Sequence, residues 1–325
     1  MTVIAGPRVS TVVLSWNTEE LLRSCLLSLR AMPDADRREL IVVDNGSDDD
    51  SAGMVEREFP EARLIRTGRN LGYAEGNNVG IRAARGRYVL LLNSDTEVEP
   101  DSISRLADFL DRNPEYGAVG AQLLSPDGSI QQACMRFPTL AVAIGFDTWF
   151  GKWSFLETRI DHYFYADFDH THSEDVDQPP GTALMVPRKV YDKVGLLDPD
   201  LFLFYNDVDL CRRIRKSGYR IRYLADARIL HHGGASTSRY GSFAAEWHKN
   251  RARYYLRSHG RFGFWLAKVM SAWRAWELWW KEVRNMSDPL EKAAATRHVR
   301  SVAMEVLRDR GSGDARVRAE PAGEE

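Results

Sequence analysis

The sequence predicts an α/β fold: a mainly parallel sheet flanked by helices, followed by a C-terminal amphipathic helical extension. Three observations carry this. Short β-branched or leucine-rich runs alternate with segments of helical period over the first third of the chain. Three of those runs end in polar clusters, Ser15-Trp16-Asn17, Asp44-Asn45-Gly46-Ser47 and Asn93-Ser94-Asp95, and in such sheets ligands sit beyond the carboxyl ends of the strands. Past Ser242 the composition turns to tryptophan and arginine at helical spacing.

The elements follow in order. Val9 to Ser15 is a β-branched run that suits a buried strand. Asn17 to Met32 reads as a helix, with Asn17 as cap, Glu20 three residues on as in a capping box, and Leu21, Leu22, Cys25, Leu26 and Leu29 on one face. Leu40 to Val43 and Ala62 to Ile65 are strands. Tyr73 to Ala84 is a helix ended by Gly86. Tyr88 to Leu92 is the most apolar strand, followed by a helix over Asp101 to Asn113 and a strand over Gly117 to Leu124. Residues 137–180 are rich in aromatics and histidine without a clean period. They read as an excursion over the site with a helix near Leu140 to Phe150. Gly181 to Val186 is a strand, Asp207 to Ser217 a helix stopped by Gly218, and Arg220 to Leu224 and Arg228 to Leu230 are short strands. The expected organisation is a tail over 1–8 and a catalytic domain over 9–245, divided into halves at 125/126. A helical extension over 246–309 and a disordered tail over 310–325 follow.

Composition narrows the class. The 325 residues are 44% hydrophobic and 28% charged, ordinary for a globular protein, and the net charge of −2 gives no reason to expect nucleic-acid binding. Cys25, Cys134 and Cys211 are odd in number and far apart, which argues against a disulfide framework or a zinc site and for a reducing cytoplasm. Met1 to Ser10 lacks the apolar core of a secretory signal, and no run of about 20 uncharged apolar residues is long enough to span a bilayer.

Several polar clusters could do chemistry, and each also has a structural reading. A hard cation such as magnesium or manganese takes oxygen ligands and needs only one or two carboxylates when phosphate and water complete its shell. Asp95, just past an apolar strand, is either such a ligand or a turn residue. Asp44 and Asn45 before Gly-Ser are common turn chemistry. Asn70, Gly72, Asn77 and Asn78 either cap the next helix or meet a ligand. Asp207 and Asp209 open a helix, where the dipole favours negative charge; one of them could instead act as a general base. In the run from His231 to Ser236, a neutral imidazole would suit manganese. Adjacent histidines on a strand point to opposite faces, so only one should enter a site.

The order and spacing of these clusters resemble glycosyltransferase family 2, with its nucleotide-diphospho-sugar (GT-A, Rossmann-like) fold, and within it the rhamnosyltransferase-like branch. The resemblance covers roughly residues 8 to 260. It rests on Val12 to Asn17, Val42 to Ser47, Asn70-Leu71-Gly72 through Gly80, Leu91 to Asp95, Phe204 to Cys211 and the His-x-x-Gly-x-Ser run. It implies that Asp44 and Asn45 meet the nucleotide base, that Ser15, Trp16 and Asn17 line its pocket, and that Asn70, Gly72 and Asn77 contribute to donor binding. It further implies that Asn93-Ser94-Asp95 stands at the Asp-x-Asp-type motif with Asp95 as metal carboxylate, and that His231 is a further metal or diphosphate contact. Gly181 and Thr182 would line the sugar site, with Asp207 as catalytic base. The family's first motif carboxylate is Asn93 here. The Glu that usually precedes the base is Asn206, which removes a like charge and should lower the pKa of Asp207.

The implied reaction is inverting, metal-dependent transfer of a sugar from a nucleotide-sugar, leaning to dTDP-rhamnose, onto a hydroxyl of a glycan or lipid-linked acceptor. A nucleotidyltransferase, a nucleotide-sugar hydrolase and a catalytically silent binding protein are the rivals. In the C-terminal extension Phe262, Leu266, Val269, Trp273, Trp276, Trp280 and Val283 recur at steps of three and four, with Arg261, Lys268, Arg274, Lys281 and Arg284 around them. That helix either packs on the catalytic domain, joins two copies, or lies at the inner face of the plasma membrane.

Overall fold

In the computed structural model, which describes residues 6–33, 38–233 and 243–311, one nine-stranded sheet organises the chain. Strands β1 (Val9–Ser15), β2 (Glu39–Asp44), β3 (Arg63–Arg66) and β4 (Tyr88–Asn93) run parallel in the order β3-β2-β1-β4. Helices α1 (Glu19–Arg30), α2 (Ser51–Glu58) and α3 (Gly72–Ala83) connect them. β4 is apolar throughout because β1 and β8 (Ala183–Pro187) flank it and helices cover both faces; Val89, Leu90, Leu91 and Leu92 are all buried.

The second half of the sheet is mixed. β8 runs antiparallel to both β4 and β6 (Tyr116–Leu124). β9 (Arg220–His231) pairs parallel with β6 and antiparallel with β5 (Thr96–Val98), and β7 (Glu174–Asp175) adds to its other end. The two short strands expected over 220–230 are one strand with a register shift against β6. Helices α4 (Ser102–Arg112), α5 (Leu140–Gly145), α6 (Ser154–Tyr163), α7 (Arg188–Val194) and α8 (Asn206–Lys216) fill in around the sheet. The helix expected over 140–150 stops at Gly145 and is followed by a single tight turn, Trp149–Lys152.

Two local expectations fail for identifiable reasons. Asn17 is not the cap of α1: it sits at φ +55°, Thr18 holds the cap position without a capping bond, and the Asn17 amide oxygen accepts from the Asp48 N–H at 2.7 Å. Gly86 does not end α3, which stops at Ala83; Gly86 is small because a Cβ there would lie 2.5 Å from the Ser10 backbone nitrogen.

The C-terminal part is helical. α9 (Phe243–Leu278) is broken at Gly260, runs on into a wider turn at Trp279–Val283, and is followed by α10 (Pro289–Arg308). Tyr254, Tyr255, Ala252 and Phe264 of α9 share a core with Leu201, Val208 and Ala143. Beyond Gly260 the helix buries Phe264, Met270 and Ala275 against the protein and yet leaves a row of large apolar side chains outside. Ala267, Lys268, Ser271 and Glu277 are buried, whereas Phe262 (69% exposed), Trp265, Val269, Trp276 and Trp280 face outward. Lys268, expected on the periphery, is inside, its ammonium donating to the Asp309 carbonyl at 2.7 Å. Among the described residues no helix is long and apolar enough to cross a membrane.

Candidate active site

Strand direction gathers the site. In register, Ser15 lies opposite Asp44 and Leu14 opposite Asn93, so the polar ends of β1, β2 and β4 open on the same edge of the sheet. Because β8 is antiparallel to β4, its amino end reaches that edge. Ala183 pairs with Leu92, and the Asn93 N–H donates to the Thr182 carbonyl at 3.0 Å. A parallel β8 would have sent Gly181 and Thr182 to the opposite edge. Likewise β9 ends with His231 opposite Thr96, beside Asp95.

On the nucleotide side, much of the polar character is spent within the protein. The Asn45 amide donates to Asn70 Oδ1 (3.0 Å) and the Gly72 carbonyl (3.2 Å) and accepts from the Leu71 N–H (2.9 Å), so Asn45 and Asn70 clamp the turn into α3. Gly72 sits at φ +80° with Phe202 where a Cβ would be, leaving only glycine compatible. Asn77 donates to the Tyr73 carbonyl one turn back. Asn78 bonds Leu197 through both its amide atoms. Asp44 accepts from the Ser47 N–H, while Ser15, Thr18 and Ser94 form a buried hydroxyl chain. Asn17 ties the end of β1 to the turn after β2, its N–H donating to Ser47 Oγ at 3.0 Å and its side-chain oxygen accepting from the Asp48 N–H; Trp16 lies between it and β1.

At the centre, Asp95 is buried, with a carboxylate oxygen 3.6 Å from His231 Nε2. The Gln131 amide nitrogen donates to the His231 carbonyl at 2.9 Å, leaving its oxygen, 2.8 Å from Nδ1, as acceptor. Nδ1 therefore carries the proton, and the Nε2 lone pair faces Asp95. Burial pushes the His231 pKa below its ordinary value and so favours the neutral ring, outweighing Asp95, which pulls toward the charged one. A carboxylate oxygen and an imidazole lone pair converging on one point suit a divalent cation, with oxygens of a bound diphosphate completing the shell. Among the described residues no cluster of three His, Cys, Asp or Glu side chains exists to hold a metal alone. His232 points away, to Glu97 at 2.9 Å, as strand alternation requires. Gly234, Ala235 and Ser236 lie outside the described residues.

Asp207 occupies the first turn of α8, after Tyr205 held at φ +64°, a costly conformation for a side chain of that size. Its Oδ1 accepts from the Val208 N–H and its Oδ2 from the Gln178 amide, each at 2.9 Å. Gly181 lies so close that a Cβ would stand 2.6 Å from Oδ2. Tyr73 links the two halves, its hydroxyl 3.1 Å from the Gly181 carbonyl and 3.3 Å from Asn93 Oδ1. Desolvation raises the Asp207 pKa, and the hydrogen bonds from Val208, Gln178 and Gly181 oppose it. Losing the neighbouring carboxylate at 206 lowers this pKa relative to a Glu-flanked base, but burial outweighs that and the net shift is upward. Asp209 is bound to Arg213 at 2.8 Å and is structural.

Tyr73, Gln131 and Gln178 belong to the site, yet sequence reasoning did not reach them. Tyr73 directly follows Gly72 and could have been suspected; the two glutamines carry no spacing signal. Were Asp207 a general base it would have to be ionised to work, and activity would fall as pH drops through its raised folded-state pKa. Gln178→Leu removes a bond that stabilises the anion. The acid limb of the kcat/KM profile is expected to move up by about one pH unit, with the alkaline limb unchanged; an unmoved acid limb would dissociate Gln178 from Asp207.

A parallel half-sheet whose strand ends meet a carboxylate–imidazole pair and a braced, half-buried aspartate is the layout expected of a GT-A-type glycosyltransferase. Residues 10–173 match the family described as Glycosyl transferase family 2. The chain is 30% identical over 243 residues to the N-acetylglucosaminyl-diphospho-decaprenol L-rhamnosyltransferase of Mycobacterium tuberculosis, covering 71% of this chain and 78% of that protein. It belongs to glycosyl transferase family 2, in its rhamnosyltransferase-like branch. It also spans 25% of an uncharacterized Sinorhizobium fredii protein at 29% identity, and 18% of the Myxococcus xanthus O-antigen biosynthesis protein RfbC at 28%, each over 71% of this chain. Among solved structures, the Pyrobaculum calidifontis mannosyltransferase PcManGT in complex with GDP-Man and Mn2+ shares the fold, with a TM-score of 0.56 at 16% identity over 94% of this chain and 89% of that one.

Proposed function

We propose that this chain is an inverting glycosyltransferase that moves a sugar from a nucleotide-sugar, dTDP-rhamnose foremost, onto a hydroxyl of a glycan or lipid-linked acceptor at the inner face of the plasma membrane. The observation that carries this is the braced Asp207 carboxylate, joined through Gly181 and Tyr73 to the Asn93 end of β4. Asp207 takes the proton of the attacking hydroxyl, the hydroxyl oxygen bonds the anomeric carbon, and the nucleoside diphosphate leaves from the opposite face. Asp95 and His231 would hold a manganese or magnesium ion, and when bound such an ion would supply positive charge toward the departing diphosphate. Trp16, Asn17 and Asp44 face the nucleotide over the buried Ser15–Thr18–Ser94 hydroxyl chain, and Gly181 and Thr182 face the sugar. The rhamnose preference is supported by the Mycobacterium tuberculosis relative, whose name specifies rhamnosyl transfer to a diphospho-decaprenol acceptor.

The test is incubation of the purified chain with dTDP-rhamnose, UDP-sugars and GDP-mannose, with Mn2+ or EDTA, and with or without a lipid-diphosphate N-acetylglucosamine acceptor. Mn2+-dependent transfer from dTDP-rhamnose is expected. Acceptor-independent hydrolysis, nucleotidyl transfer, or binding without turnover would each overturn the reading.

A further inference from the structure

We infer that the outward tryptophan stripe of α9, together with the 150–155 segment, is a docking face for an anionic lipid bilayer. The inference extends the lipid-linked-acceptor reading above but stands on separate observations. The stripe comprises Phe262, Trp265, Val269, Trp276 and Trp280 along one side of the helix, and Trp153 (63% exposed) and Phe155 continue it from another element. Both elements form one aromatic body: Phe150 packs on Trp153 and Trp273 at 5.2 Å each, Trp149 on Trp276 at 5.6 Å, and Trp276 on Trp280 at 5.8 Å. The face is therefore braced from behind and cannot fold inward. Its helix is already committed to burying the opposite side, where the Glu277 carboxylate takes the Trp149 N–H and the Trp273 indole N–H.

Residue type and charge choose a bilayer over a second copy of the chain. The exposed side chains are mainly tryptophan and phenylalanine, which favour the headgroup–acyl boundary. Over residues 261–284 the exposed charges are the cations Arg261, Lys281 and Arg284 against the single acid Glu282. Arg284 stacks over Trp280 at 4.0 Å and Arg159 over Phe155 at 5.3 Å, which sets cations at the rim of an apolar patch, where phosphate headgroups would lie. The acids on the adjoining elements are Glu157 and Asp161 on α6, Asp147, which pairs with Arg274, and Asp288 and Glu291 at the start of α10, where Lys292 also lies.

The experiment is flotation of the full chain with phosphatidylcholine vesicles and with phosphatidylcholine–phosphatidylglycerol vesicles, with tryptophan quenching by brominated lipid as a depth readout. Binding and quenching are expected on the anionic vesicles, weakening with salt. Trp265→Ser/Trp276→Ser/Trp280→Ser should lower partitioning on the order of tenfold or more while keeping a cooperative melt, at a lower temperature because the Trp149–Trp276 and Trp276–Trp280 packing is lost, and transfer to a short-chain soluble acceptor unchanged. Arg261→Gln/Lys281→Gln/Arg284→Gln should remove the preference for the anionic lipid. Undiminished binding by the tryptophan variant, no binding by the parent, or a parent dimer that this variant splits would each overturn the inference. None of the overturning results depends on whether the protein transfers sugar, so a failure here is distinguishable from a failure of the catalytic reading.

Discussion

Asp207→Asn is expected to lower kcat by about 10²–10⁴-fold, the usual contribution of a positioned general base, while donor affinity stays within a few-fold of the parent. The separation follows from where the two oxygens are held. Asn is nearly isosteric, and one of its terminal atoms can remain an oxygen accepting from Val208 or from Gln178, so the first turn of α8 and the adjoining Gly181 strand keep their places. The lost property is the ability to take a proton in the transition state. Single-turnover transfer, measured beside isothermal titration of the nucleotide-sugar with Mn2+, reads the two effects separately. Unchanged turnover would remove Asp207 from the chemistry. A parallel loss of donor binding would instead place it in the donor pocket. Removing this charge also lifts a desolvation cost, because burial raises the pKa of this carboxyl in the folded protein. The variant should be at least as stable as the parent at neutral pH, so any loss of turnover is not a folding artefact.

How much of this was legible depends on whether a residue announces itself through pattern or only through place. The strands β1, β2 and β4 are readable because both faces are buried and apolar runs result, and their polar ends mark the crevice before any coordinates exist. α2 was not readable. It is eight residues long, contains a glycine, and buries only Ser51, Met54 and Val55, too little to impose a period. α10 had a start signal, Asp288 capping Leu290 with Pro289 in the first turn, but it buries only Val306 and offers no apolar face. The direction of β8 was hidden for a different reason. Direction is fixed by how the 125–182 excursion returns, and nothing local in Ala183–Pro187 encodes it.

The site divides the same way. Asp95, Asp207 and His231 are found by residue type at strand and helix ends. Gln178 and Gln131, which brace Asp207 and His231, act from 29 and 100 residues away and are ordinary amides in the sequence. Asn45 and Asn70 show the converse. As Asx residues after strands they suit nucleotide contact as well as turn chemistry, yet their amides are consumed by the turn at Gly72, so any role toward the nucleotide is to shape its pocket.

The Asp95–His231 pair yields the second large effect. Asp95→Asn keeps volume and hydrogen-bonding capacity but removes the one carboxylate at this point of the crevice, since Asn93 is neutral. A hard cation loses far more from a carboxylate-to-amide change than from loss of a neutral donor. Turnover is therefore expected to fall by about 10²–10³-fold, comparable to deleting one preorganised electrostatic contact to the leaving group. The Mn2+ concentration for half-maximal activity should rise as well. His231→Ala should show the same signature at smaller scale. Gln131→Leu should act only through the imidazole, weakening metal affinity about tenfold as outer-shell changes do. The graded order Asp95→Asn, His231→Ala, Gln131→Leu is the discriminating result. It can be read without turnover as the Mn2+-dependent gain in melting temperature with a nondiphosphorylated donor analogue excluded and the nucleoside diphosphate present. Equal effects from all three would mean that the pair acts by holding β5 against β9 rather than by gripping a cation. In that case Mn2+ would fail to stabilise the parent chain in the presence of the nucleoside diphosphate.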